Sequence, residues 1–466
     1  MPSNCQSNLN TWVLHTKTFW KTLYNARNIE NAKHFRNHIC MATNKWCEQL
    51  STQPTKMINS ILNRHTDTVH LQNIKTSNSI ITDPIEIKQH VSDHYNEWTA
   101  HHPFDENIFN HNWKTIYQPN SNINSEWYAP ILQEITTQEI INIIQQLPNN
   151  KACGPTGISY EMLKHLGPNM LSALTALFNR CLITQSIPKQ WKCSRIYPIS
   201  KKSEFDENLN NTWPISLIEH TKKLYTKILT NRLSQVLTNH QILNPHNYVA
   251  LPGNSTNNLI HILNNFLEDA KCTKKHIWIL SQDMSKAYDS VNIQLLMKAL
   301  KRLNKPNQLV NILINLLSNW SNQIITNLGL TPSYEVQDGI DQGETITPLL
   351  WRIYYDPLIS HIYNTYTGYT ATTKWLTQIC PNKYQTATAH TSVLAYMDDT
   401  LWLANSLEQL QLIIQTAASF YTMAHIQVNP HKSFLTSNTK STTHISFMNQ
   451  LIKAQLYNTS FKFLEC

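Results

Sequence analysis

The stretch 391–404, TSVLAYMDDTLWLA, sets the tightest limit on what this chain can become. Two apolar runs are separated by a polar break short enough to be a turn, which predicts a β-hairpin with Asp398 and Asp399 at its bend. Adjacent carboxylates beside apolar strands repel each other unless a cation or a proton neutralises them. A divalent metal would do so; a solvated hairpin tip, where Asp is a common residue, would look the same in isolation.

A second stretch, IWILSQDMSKAYDSVN at 277–292, repeats the pattern. An apolar strand ends in Asp283, Tyr288 and Asp289 follow, and an amphipathic helix is predicted over 291–302. Brought together, Asp283 and Asp398 could hold two metals about 3.5–4 Å apart, the arrangement that activates an attacking oxygen and stabilises a leaving one in phosphoryl transfer. Oxygen ligands of this kind select magnesium or manganese.

The chain has 466 residues, 41% of them hydrophobic, enough for two or three globular units with real cores. Its net charge of +8 is compatible with a polyanionic partner. The excess gathers at 181–235, where nine Lys/Arg face four Asp/Glu with Trp191, Tyr197, Trp213 and Tyr225 interleaved. Phosphate contact plus base stacking would use that pattern, and so would a solvated basic face with half-buried aromatics. The nine cysteines have no CxxC or zinc-type spacing, the N-terminus lacks the apolar core of a signal peptide, and no run approaches the ~18 apolar residues of a membrane span. A soluble intracellular protein, cytoplasmic or nuclear, without a membrane partner, is expected. Glycine is scarce, eight residues in all, yet Gly154, Gly157, Gly253, Gly339 and Gly343 fall in motif-like turns.

Several blocks in the family's order resemble the reverse transcriptases of non-LTR (LINE-type) retrotransposons, from about residue 131 to the C-terminus. They include Lys151 to Ile158, the 187–217 block, Asn247 to Thr256, the two Asp stretches, Gly339 to Pro348, and Asn429 to Ser433. The resemblance implies an α+β right-hand polymerase with an antiparallel-sheet palm. It divides the chain into a helical N-terminal extension (1–130), fingers (131–275) and a palm (276–466) truncated before the thumb, since the hairpin motif begun at 461–466 is cut short. It also implies an RNA template, a DNA primer and dNTP as partners, and two Mg²⁺ or Mn²⁺ ions held by Asp283, Asp398 and Asp399.

The same resemblance makes Lys432 the group that protonates leaving pyrophosphate, and Lys201 a phosphate-facing residue. Tyr288 would lie under the sugar and exclude a 2′-hydroxyl, and the Gln342-Gly343 backbone would lie beside the templating base pair. Asp289 is expected to cap or pair with a cation instead of binding metal. Two departures stand out: Thr156 replaces an Asp, and Trp213 replaces an Arg that clamps the triphosphate, so fixed charge and several donors give way to one indole N–H. A truncated or decayed element that binds nucleic acid without polymerising is therefore the competing reading. Oligomeric state is left open.

Locally, helices are predicted at 20–50, 56–62, 85–98, from Thr136 or Thr137 to Pro148, and at 221–237, 257–270, 349–363 and 407–421. Ser255 is read as a helix cap, and 366–391 as a polar, irregular surface insertion.

Overall fold

The computed structural model describes residues 3–52, 71, 73–76, 80–201, 205–376, 384–429, 431–439 and 443–455. The helical pattern at 56–62 and the closing block at 461–466 lie outside the described residues. Two compact units are present. The smaller contains the 50-residue helix Ser3–Thr52, whose apolar residues follow no single face and which exposes Trp12, Phe19, Trp20 and Tyr24.

At the centre of the larger unit is a four-stranded antiparallel sheet in the order Val393–Tyr396, Asp399–Ala404, Trp278–Gln282, Phe434–Ser437. Helices cover both of its faces. Leu280, Trp402 and Val393 turn into the main core with Trp351, Tyr355 and Phe420, from the helices Thr347–Thr365 and Leu407–Ala424. Ile279, Leu401 and Leu403 pack on the other side against Leu259, Leu263 and Phe266 of the helix Thr256–Thr273. Burial on both faces is why these strands read as continuous apolar runs instead of alternating ones.

A second sheet carries Thr212–Leu217, Cys193–Ser200 and Trp320–Thr326 side by side, the last two parallel, with Gly329–Leu330 and Tyr334–Val336 paired to Trp320–Thr326. The helix Pro84–Trp98 begins with Pro84 behind the capping carboxylate of Asp83, which accepts from the N–H groups of Ile85 and Glu86. Its Ile87, Val91 and Tyr95 form one stripe that joins Ile196, Trp320 and Ile324 in a satellite core. The Tyr95 hydroxyl lies 2.6 Å from that of Thr212, tying the helix to the sheet.

The segment expected to be irregular is a regular β-hairpin. Tyr369–Leu376 and Tyr384–Thr391 pair over eight residues each, with Thr372 opposite Thr388 and Ala371 opposite Ala389. Its alternation is between Thr and Ala or Lys, so no hydrophobic period marks it, although Thr is β-branched and Thr–Thr pairs stabilise sheets. Tyr369 anchors its base by donating to Asp269 (2.6 Å). Ser255 precedes the helix Thr256–Thr273, but its hydroxyl donates to the Asn258 side chain and caps no backbone N–H. Thr136 does cap the helix Thr137–Gln146, accepting from the N–H of Glu139.

Candidate active site

The site is built by strand register. The ladder between Asp399–Ala404 and Trp278–Gln282 ends at the pair Thr400–Gln282, so the next residues outward are Asp399 and Asp283. On the opposite flank the ladder ends at Phe434–Ser281, and continuing it outward brings Ser433 and Lys432 alongside Gln282 and Asp283. Asp283 thus sits between the Asp398-Asp399 turn and Lys432. The Lys432 ammonium lies 4.0 Å from the Asp283 carboxylate, and the Asp283 carbonyl accepts from the N–H of Asn429 (2.9 Å).

The turn itself is held from beneath. Met397 takes a left-handed backbone (φ 57°), which a side chain of this kind adopts only when its surroundings enforce it. Two aromatic groups do so: the Trp351 indole donates to the Met397 carbonyl (2.7 Å), and the Tyr288 hydroxyl donates to its sulfur. Tyr288 also meets Trp351 edge-on, with ring centroids 5.9 Å apart. Burial, reinforced by the Asp398 charge, raises the Tyr288 phenol above its ordinary range, so it remains a neutral donor.

One residue inside Asp283, Gln282 is fully engaged. Its carbonyl accepts from the Trp402 indole (2.8 Å) and its amide donates to the Tyr421 hydroxyl (2.8 Å), which in turn meets the hydroxyl of Tyr355. Tyr355 reaches Thr400 on the neighbouring strand (3.3 Å). This buried chain ties both carboxylate-bearing strands to the helices behind them. Sequence reasoning missed Gln282 and Trp351, although a Gln at the end of an otherwise apolar strand is a readable sign of a buried polar network.

The loop of Gln342 and Gly343 approaches the second sheet. A Cβ on Gly343 would lie 2.5 Å from the Ser216 carbonyl, whereas Gln342 next to it stays exposed. Lys201 lies just beyond Cys193–Ser200, and its ammonium donates to the Asn210 carbonyl (2.9 Å). Trp213, on the adjoining strand, is 53% exposed. Trp191 and Tyr225, read as possible stacking platforms, are instead core residues packed on Phe178. Thr156 is explained by its partner, since its N–H and hydroxyl both donate to Glu219, which an Asp at this position would repel.

The family described as reverse transcriptase (RNA-dependent DNA polymerase) matches residues 199–464, more than half of the sequence. The chain belongs to the reverse transcriptase family. A probable RNA-directed DNA polymerase from transposon BS of Drosophila melanogaster is 27% identical over 65% of this chain and 32% of its own length. The Pol polyprotein of the type-1 retrotransposable element R2 of Popillia japonica is 26% identical over 54% and 33%, and the RNA-directed DNA polymerase of the mobile element jockey of D. melanogaster 24% identical over 49% and 25%. As the motifs implied, these relatives are non-LTR retrotransposon proteins. The chain spans about a third or less of their length.

Within this reverse transcriptase domain, with its palm and fingers, the carboxylates fit a metal site completed by substrate. Among the described residues no group of three or more His, Cys, Asp or Glu side chains forms a ready-made metal cage. Magnesium at nucleotide sites is commonly held by one or two carboxylates plus substrate phosphates, and Asp283 with the Asp398-Asp399 turn, at neighbouring strand ends beside a lysine, provides that donor set. Among the described residues, no helix is long and apolar enough to cross a membrane.

Asp341 is buried near Lys222, Lys223 and Glu344, and among the described residues its Oδ2 has no hydrogen-bond partner. Desolvation outweighs the lysines and pushes its carboxyl up to about 7. The folded protein then keeps a proton that the unfolded chain releases near pH 4, so stability falls as pH rises from about 4 to about 7. Asp341→Asn, which imitates the protonated acid, is expected to remove that decline and to gain on the order of 2 kcal/mol over the native chain at pH 8. Urea unfolding at pH 5 and pH 8 checks this; an undiminished decline in the variant would exclude Asp341 as its source.

Proposed function

We propose that the chain is the polymerase core of a retrotransposon reverse transcriptase, which joins dNTPs to a DNA primer on an RNA template. The register that sets Asp283 beside the Asp398-Asp399 turn, with Lys432 on its other flank, carries this reading. Asp283 and Asp398 would hold two Mg²⁺ or Mn²⁺ ions, with Asp399 supporting them. Bound there, the ions would activate the primer 3′-hydroxyl and offset charge on the α-phosphate as pyrophosphate departs. Lys432, its side chain 69% exposed, is free to swing from Asp283 toward the leaving group and donate a proton. Lys201 faces the phosphates, and Gln342 and Gly343 flank the nascent base pair. We take 131–275 as fingers and 276–466 as palm.

Tyr288, braced by Met397 and Trp351, is the sugar-contacting residue in this scheme. Tyr288→Val should admit the 2′-hydroxyl and raise ribonucleotide use relative to deoxynucleotide use by roughly 10- to 100-fold. Competition between rGTP and dGTP in single-nucleotide extension measures it. An unaltered ratio would remove Tyr288 from the sugar site.

The decisive assay for the whole reading is primer extension on an RNA template with dNTPs and Mg²⁺ or Mn²⁺, run beside Asp398→Asn. Salt-sensitive RNA binding with no extension would instead support a nucleic-acid-binding relic, the reading favoured by the uncharged, exposed Trp213.

A further inference from the structure

Three residues past Asp283, Lys286 adopts a left-handed backbone (φ 51°) and extends its ammonium over Trp98, 3.7 Å from the ring centroid. Trp98 is the last residue of the helix Pro84–Trp98, so a residue from the N-terminal extension meets the carboxylate region of the palm. Among the described residues, Lys286 makes no ion pair within 4.0 Å and rests on the aromatic face, with Asp289 and Glu97 attracting it from farther off. Beside it opens a cleft of about 710 Å³, lined by His94, Glu97, Trp98, Asp105, Lys286 and Asp289 among others.

Cations from separate elements crowd together at this place, with Asp289 and Glu97 among them. Burial lowers the Lys286 ammonium and Lys201 adds to that, against the pull of Asp289 and Glu97; burial and Lys432 lower that of Lys201, against Asp289. His94 is pushed down to about 4, first by burial and then by Lys286. Asp289, near both Lys286 and Lys201, is raised to about 6 by desolvation and stays largely ionised at neutral pH, and Glu97 also attracts Lys286. Lysines from three separate elements therefore surround the end of the Asp283 strand and raise one another's cost. Such a cluster is relieved by a polyanion.

We propose that Lys286, held over Trp98 in the unliganded protein, swings to the triphosphate of the incoming nucleotide and supplies the clamp that uncharged Trp213 does not. The assignment rests on the polymerase reading above. A cation held only by a ring face is released readily to phosphate oxygens, where charge-assisted hydrogen bonds are stronger. Trp98 thereby becomes the resting place from which Lys286 is drawn when nucleotide binds.

Binding of dTTP with Ca²⁺ to the full chain, loaded with an RNA template and a dideoxy-terminated DNA primer, tests this by calorimetry without chemistry. Lys286→Gln should weaken binding about 10-fold, and Lys286→Arg should stay within about threefold of the native chain. Trp98→Leu should bind as tightly as the native chain or more so, because the competing ring is gone. In extension assays Lys286→Gln should raise KM for dTTP and spare kcat. A Lys286→Gln affinity within twofold of native, or no measurable native binding, overturns the proposal. Extension that needs Asp398 but is indifferent to Lys286 would sink the clamp and keep the polymerase. Lys286-dependent binding without extension would do the reverse.

Discussion

Asp398→Asn is expected to reduce RNA-templated extension by about 10³-fold or more, equivalent to ~4 kcal/mol at the transition state. The amide keeps the shape of the carboxylate and removes the charge that would hold a divalent ion. Fold should survive, because Asp398 is exposed at the hairpin corner and the turn is fixed by the Met397 carbonyl and sulfur. Asp283→Asn should act alike, whereas a change at either position that left extension intact would end the two-carboxylate assignment. Thermal unfolding of each variant separates lost chemistry from lost structure.

Gly343→Ala is expected to have the largest effect on structure. The added methyl would stand 2.5 Å from the Ser216 carbonyl, a backbone atom in Thr212–Leu217, so relief requires moving a strand or the loop. Overpacking of this kind costs about 1–3 kcal/mol, and here the shift would also displace the loop on which Gln342 is presented. The variant should melt at lower temperature and lose extension together. Unchanged melting and activity would show that the loop and the strand separate without penalty.

Both effects depend on positions whose chemical identity was readable from the sequence and whose surroundings were not. The hairpin at 391–404 was legible because apolar strands and a short polar turn are local signals, and the caps Asp83 and Thr136 precede helices with equally local marks. Trp191 and Tyr225 looked like stacking platforms because a run of cations and aromatics does not say which way each side chain turns; packing on Phe178 turned these two inward. The Thr-rich hairpin from Tyr369 was missed for a related reason: strands built largely of Thr, Ala and Lys show no hydrophobic period.

Thr156 shows the same division in a single residue. In the sequence it is a departure from a motif; in the fold it is the donor that satisfies Glu219, 63 residues away.

The sequence by itself determined the carboxylate-bearing strands, most of the helices and the family, since each is carried by residues close together along the chain. Tertiary structure alone decided that Lys432 flanks Asp283, that Gln282 anchors the sheet through Trp402 and Tyr421, and that Lys286 meets Trp98. These contacts join residues more than a hundred positions apart, where neither periodicity nor spacing carries information. They form only when burial of both sheet faces brings distant elements together, and their polar groups must then find partners within that core.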